Sequence, residues 1–226
     1  MRLLIVASTP FEIAPLIAYL EGGSFEQVQS SRFRKGNHEV HLLVSGVGIA
    51  LTTYHLTRAL RDQVYDLVIQ AGIAGSFDRS IPLGEVVQVV SEQFADLGVE
   101  EADGSFTDVF SLGLLDRNFP PFENGKLLHP VAESIAGIRA VRGLTLDRVH
   151  GFPPSIEAFR ERNEGEIETM EGAPFFLCCL LEKRNFLAFR AISNYVEARN
   201  REAWDLGGAI GQLNKFIIEL IDSILE

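Results

Sequence analysis

Ile167-Glu168-Thr169-Met170-Glu171-Gly172-Ala173 joins an apolar strand signal to the start of a long apolar helix. A strand ending near Thr169 with a helix opening near Gly172 is the junction from which a parallel-sheet protein projects side chains at the carboxyl edge of its sheet. Glu171 then stands beside the positive end of a helix dipole, where an anion is stabilised. Two readings of Glu171 are open from this stretch alone. It is a ligand-contacting carboxylate, or it is a first-turn acid that steadies its own helix.

Strand signals that end in a helix start recur on both sides of this stretch. Leu3 to Ala7 is a short apolar run closed by Ser8-Thr9-Pro10, the signature of a strand buried on both faces. Thr9 can cap and Pro10 can open a helix carrying Ile13, Leu16, Ile17 and Leu20, stopped by Gly22-Gly23, with Glu12 in its first turn. Two strands flank Gly36-Asn37, and the second leads into Ser45-Gly46-Val47-Gly48, which opens a helix to about Asp62. Leu67 to Gln70 reads as a strand ending in a small-residue turn, Ala71-Gly72-Ile73-Ala74-Gly75-Ser76, where backbone can approach a ligand closely. Strands are also expected at 83–94, 143–147 and 186–192, the last running into Ser193-Asn194-Tyr195. A polar helix is expected from about 155 to 163, and a C-terminal helix carries Ile210, Leu213, Ile217 and Ile221 on one stripe. Residues 95–130 show weak periodicity and read as an irregular excursion that lids a site or builds subunit contacts. Alternation of strands and helices predicts an α/β protein: a single domain over 1–226, three layers α/β/α, with a mixed, largely parallel central sheet.

Composition narrows the partners. A formal charge of -11 argues against nucleic acid and against an anionic membrane, leaving small molecules as the natural ligands. No apolar run approaches the roughly 18 residues of a membrane span, and the N-terminal apolar run is too short for a signal peptide. The two cysteines, Cys178 and Cys179, are adjacent in an apolar helical pattern and read as reduced core residues of a cytoplasmic protein. The five histidines form no ligand motif, so no metal site is expected. No Gly-x-Ser-x-Gly elbow, Walker loop or full dinucleotide fingerprint is present.

Three strand ends thus offer Glu12, Glu171 and the Ser193-Asn194 pair. The succession Ala7-Ser8-Thr9-Pro10-Phe11-Glu12, Ser45-Gly46-Val47-Gly48, Ala71-Gly72-Ile73-Ala74-Gly75, Thr169-Met170-Glu171-Gly172-Ala173 and Arg190-Ala191-Ile192-Ser193-Asn194 resembles the nucleoside phosphorylase and nucleosidase superfamily. Within it the chain is most similar to the futalosine hydrolase family, through Glu168 to Ala173 and through Arg190 to Trp204.

The resemblance implies cleavage of a purine N-glycosidic bond without metal or organic cofactor, in a homo-oligomer whose neighbouring subunits close the site. It implies Glu12 and Asn194 as catalytic residues, Glu12 deprotonating the attacking water. It implies Met170, Glu171, Ser193, Thr169, Ile73 and Val149 as substrate-binding, with Glu171 on the ribose hydroxyls and Met170 against the sugar. Asn194 departs from the aspartate of adenine-releasing nucleosidases. An amide carries an acceptor and donors together, which suits N7-H and a 6-oxo group, and so a hypoxanthine leaving group. Related phosphorylases hold phosphate with an arginine where this chain has Gln70 and with a hydroxyl where it has Ile73, so water is the expected acceptor. His150 is left outside the catalytic set. Arg199 to Trp204 either reach the substrate's carboxylated tail or form a solvated helix start. Glu168 and Glu197 are expected at the surface or behind the site.

Overall fold

The computed structural model describes residues 1–131, 135 and 137–225. In chain order it comprises β1 (Arg2–Ala7), a 3-10 turn (Pro10–Ile13), α1 (Ala14–Gly22), β2 (Glu26–Gln29), β3 (Arg32–Lys35), β4 (His38–Val44) and α2 (Ile49–Asp62). There follow β5 (Leu67–Ser76), β6 (Val86–Phe94), β7 (Gly98–Glu100), β8 (Phe106–Asp108), β9 (Leu127–Leu128) and β10 (Arg139–Thr145). The chain finishes with α3 (Pro153–Arg162), β11 (Ile167–Thr169), α4 (Gly172–Leu181), β12 (Phe186–Tyr195), a 3-10 turn (Arg201–Ala203) and α5 (Leu206–Leu225).

Strand alternation explains the layers. In β1, Leu4 and Val6 face a core shared with α2 and α4, whereas Leu3, Ile5 and Ala7 face one shared with α1 and α5. A strand apolar on both faces is therefore sandwiched between two helical layers, as the unbroken Leu3 to Ala7 run predicts. The sheet runs β11-β10-β6-β12-β5-β1-β4-β3-β2, and β11 also pairs with β5, so β5, β12, β6, β10 and β11 close into a ring. Its long central pairings, β4 with β1, β1 with β5 and β5 with β12, are parallel. The β6–β12 and β5–β11 pairings are antiparallel, which makes the sheet mixed. Among the described residues, no helix is long and apolar enough to cross a membrane.

Two expectations need correction. Ala71 to Ser76 is not a turn: β5 continues to Ser76, because β12 pairs with it along that whole length and β11 joins at Gly75 and Ser76. Paired neighbours on both edges override the weak strand preference of glycine and alanine. The 95–130 excursion is also more regular than its sequence. β7 and β8 form a hairpin, β9 pairs with β6, and Phe110 packs edge-on against Phe122 at 5.6 Å.

Candidate active site

The carboxyl ends of β1, β4, β5, β11 and β12 converge on one cavity of about 290 Å³. All eight candidate residues, Glu12, Ile73, Val149, Thr169, Met170, Glu171, Ser193 and Asn194, line it. So do Phe11, Val47, His150, Glu168 and Trp204, whereas no residue of the 95–130 excursion does. The walls are thus largely apolar with a few convergent polar groups, the usual make-up of a small-molecule site.

Glu12 is placed by main chain. Its Oε2 accepts from the Thr9 N–H at 2.9 Å and the Thr9 hydroxyl at 3.1 Å, and its Oε1 accepts from the Ile73 N–H at 3.3 Å. Buried Asn214 of α5 steadies the same turn, donating to the Glu12 carbonyl at 2.8 Å and accepting from the Leu16 N–H at 3.0 Å. Gly72 of β5 gives Glu12 room: a Cβ there would lie 3.0 Å from both Glu12 Oε1 and Arg190 Nη1.

Glu171 stands at the start of α4, where the β11–α4 junction was expected. Its Oε1 accepts from the Gly48 N–H at 3.0 Å. Gly48 adopts φ +89°, a left-handed conformation that aims this N–H at the carboxylate and that L side chains rarely adopt. Burial pushes the Glu171 carboxyl above its ordinary range, while the Arg190 guanidinium and the Gly48 N–H oppose that rise. Gln70 does not face the cavity. Its amide donates to the Glu171 carbonyl at 3.1 Å, pinning the junction to β5.

At the other end, the Ser193 hydroxyl donates to Asn194 Oδ1 at 2.8 Å and the Asn194 amide donates to the Tyr195 carbonyl at 3.1 Å. Glu168 corrects the expectation of a surface or background acid: it is 4% exposed and lines the cavity. His150 is held just as firmly, its Nδ1 lying 2.9 Å from Glu168 Oε2 and its ring packed at a 44° tilt against Phe159, centroids 4.3 Å apart. Trp204 reaches the cavity mouth beneath the Arg199 guanidinium, 5.3 Å from its ring, and Glu197 pairs with Arg79 at the surface.

Arg190 was missed by sequence reasoning. It is 2% exposed, and its Nε and Nη2 find no acceptor among the described residues. Its charge favours ionisation of both Glu171 and Glu92. A charged residue inside the apolar Phe186 to Ile192 strand was the available signal, since such a residue is seldom buried without a task. Among the described residues, no group of three or more His, Cys, Asp or Glu is placed to hold a metal ion.

Comparison with known proteins bears on this site. The family model described as the phosphorylase superfamily matches residues 2–226. A futalosine hydrolase of Streptomyces coelicolor is 37% identical over 186 residues, covering 79% of this chain and 77% of the relative. A 5′-methylthioadenosine/S-adenosylhomocysteine nucleosidase of Bacillus cereus is 26% identical over 236 residues, covering 99% of this chain and all of the relative. The solved structure of a futalosine hydrolase of Helicobacter pylori superposes with a TM-score of 0.78 at 16% identity, over 99% of this chain and 98% of that one. At that identity the likeness speaks for the fold.

Proposed function

The chain belongs to the phosphorylase superfamily, and on that premise we propose that it cleaves the N-glycosidic bond of futalosine with water, releasing hypoxanthine and dehypoxanthine futalosine on a route to menaquinone. The observation that carries this is the spacing of two groups along β5. Glu12 is tied to Ile73 and Asn194 stands beside Gly75. Those two anchor points are two residues apart, about 7 Å at strand rise, the reach from the anomeric centre to the far edge of a purine. The Streptomyces relative supports the same substrate.

Each step has a residue of suitable chemistry. Water attacks the anomeric carbon and gives a proton to Glu12, whose carboxylate is held ready by three donors. As the new C–O bond forms, the C–N9 bond breaks. Positive charge developing on the sugar is met by Glu12 and Glu171, the latter also accepting from the ribose hydroxyls, with Met170 as the apolar wall. The base leaves with the bonding pair and takes up a proton from solvent at N7; the Asn194 amide donates to O6 as that charge develops, and Asn194 Oδ1 accepts from the N7-H so formed. Thr169, Ile73 and Val149 complete the walls. Phosphate is disfavoured as the attacking group, since Glu12 and Glu171 repel a dianion and Ile73 offers it no hydrogen bond. A cytoplasmic homo-oligomer, with a partner closing the open mouth at Phe11 and Trp204, is part of this reading.

An adenine-releasing nucleosidase is the second reading, favoured by the full-length match to the Bacillus relative. One assay separates the two. Purified protein is given futalosine, inosine or methylthioadenosine, each with and without phosphate, and the released base is identified by chromatography. Hypoxanthine from futalosine without phosphate is the expected result, and adenine release or strict phosphate dependence overturns the proposal.

A further inference from the structure

We propose that Glu168, held by His150, accepts a hydrogen bond from N1-H of the bound base and so makes the site selective for a 6-oxopurine. This rests on the reading above that the cavity takes a purine nucleoside.

The argument starts from register. Gly75 of β5 pairs with Glu168 of β11 on one side and with Asn194 of β12 on the other. Residues in one row across a sheet project from the same face, so the two side chains flank a position that has none. They lean towards each other over it. A Cβ built on Gly75 would lie 3.0 Å from Val196 Cγ2, 3.1 Å from Asn194 Nδ2 and 3.4 Å from Glu168 Cγ, so the two polar side chains approach a place that a Val196 methyl also borders. An amide donor and a carboxylate acceptor therefore stand side by side on the floor of the cavity.

That pair matches one purine edge and opposes the other. Hypoxanthine presents an acceptor, O6, next to a donor, N1-H. Adenine presents a donor, its 6-amino group, next to an acceptor, N1. With Asn194 Oδ1 on N7-H, the protein offers acceptor, donor and acceptor in succession, which complements N7-H, O6 and N1-H atom for atom. With adenine, two of the three positions confront like with like, and buried polar groups left unpaired are costly.

Glu168 is held in place by His150. His150 Nδ1 lies 2.9 Å from Oε2, and the His150 N–H donates to Oε1 at 3.3 Å. Burial pushes the Glu168 carboxyl up, and these His150 contacts work against that rise. A carboxylate has about four acceptor positions, so it can serve His150 and a base together.

The test compares Glu168→Gln with wild type on futalosine and on its 6-amino analogue. The expected result is a fall of at least tenfold in the 6-oxo over 6-amino ratio of kcat/KM, carried by KM for the 6-oxo substrate. An equal loss on both substrates, as a merely structural role would give, overturns the proposal. A second measurement needs no variant: calorimetric binding of hypoxanthine and 1-methylhypoxanthine to the wild-type protein. Hypoxanthine is expected to bind at least tenfold more tightly. Equal binding of the two, or no binding of hypoxanthine, overturns the proposal. Should futalosine not be cleaved while that base preference holds, the substrate reading falls and the role of Glu168 stands.

Discussion

The two ends of the cavity hold their polar groups by different means. At the end proposed to hold the sugar, main-chain donors carry most of it: Glu12 accepts from the Thr9 and Ile73 N–H groups, with the Thr9 hydroxyl as a further donor, and Glu171 accepts from the Gly48 N–H. At the end proposed to hold the base, side chains take a larger share, Ser193 fixing Asn194 and His150 fixing Glu168, alongside the Tyr195 carbonyl and the His150 N–H. Main-chain donors are common to any sequence that adopts the fold, whereas side-chain donors change with single substitutions. On the proposed reading, bond cleavage rests more on the scaffold and the identity of the leaving base more on replaceable side chains. Substitutions at the two ends should therefore fail in different ways.

The largest expected effect is at the sugar end. Glu12→Gln keeps the shape and the contact with the Ile73 N–H but removes the proton acceptor, so kcat should fall by about 10² to 10⁴. Binding of hypoxanthine, measured by calorimetry, should be unchanged. Turnover surviving in that variant would break the division between the ends, because Glu12 would then be another orienting group.

Below the sugar end lies Glu92, fully buried and outside the cavity. It accepts from the Thr145 hydroxyl at 2.8 Å, and Thr145 Oγ1 accepts in turn from the Ala173 N–H at 2.7 Å, tying Glu92 to the start of α4. Burial raises its carboxyl to about 7, with Arg190 opposing. A raised acid binds its proton more tightly when folded. The stability it contributes is full below its unfolded value of 4.5 and is lost as pH rises through about 7. That loss amounts to about 3 kcal/mol on the scale of 1.4 kcal/mol per unit. Glu168 and Glu171 are raised too, so the difference between wild type and Glu92→Gln isolates this group. Denaturant melts across pH 4 to 8 should show a shallower decline in the variant, and parallel curves would remove Glu92 from the account.

These contrasts also show what was legible in the sequence. Glu12, Glu171, Ser193 and Asn194 were readable because each sits where a strand signal ends, and in parallel neighbours those ends share one edge of the sheet; Ile73, Val149, Thr169 and Met170 came with the family resemblance. Glu168 was misjudged because its position depends on β11 pairing with β5 some 90 residues away, a register that no local pattern encodes. Asn214 was missed for the same reason: its partners are Glu12 and Leu16, at the far end of the chain. β2 escaped notice because Glu26 to Gln29 is exposed throughout and carries no alternation. The glycines of β5 were read locally as a turn, whereas what they accommodate are side chains from distant segments, Glu12, Arg190, Asn194 and Glu168.

At the base end, Asn194→Asp exchanges the amide for a group that, once protonated, donates to N7 and no longer offers a donor to O6 beside that bond. The ratio of hypoxanthine to adenine release, measured on futalosine and its 6-amino analogue, should fall by roughly tenfold, with far less change in kcat than Glu12→Gln gives. A uniform collapse of both activities would mean that bond cleavage depends on the base end no less than on the sugar end.

The smallest effect is the sharpest probe of the comparison. Ser193→Ala leaves every group that touches the base in place and removes only the hydroxyl that donates to Asn194 Oδ1. The amide keeps its contact with the Tyr195 carbonyl but loses the partner that distinguishes its oxygen from its nitrogen. A flipped amide sets a donor against N7-H and an acceptor against O6, which suits adenine better than hypoxanthine. A contribution of about 1 kcal/mol from one neutral hydrogen bond corresponds to a roughly fivefold loss of base preference. Stability should fall by a similar amount, because the same hydroxyl lies 3.2 Å from the Ala74 carbonyl. An unchanged preference accompanied by that loss of stability would show that Tyr195, a main-chain carbonyl, orients the amide. The base end would then be held as the sugar end is, and the contrast between them would rest on Glu168 and His150 alone.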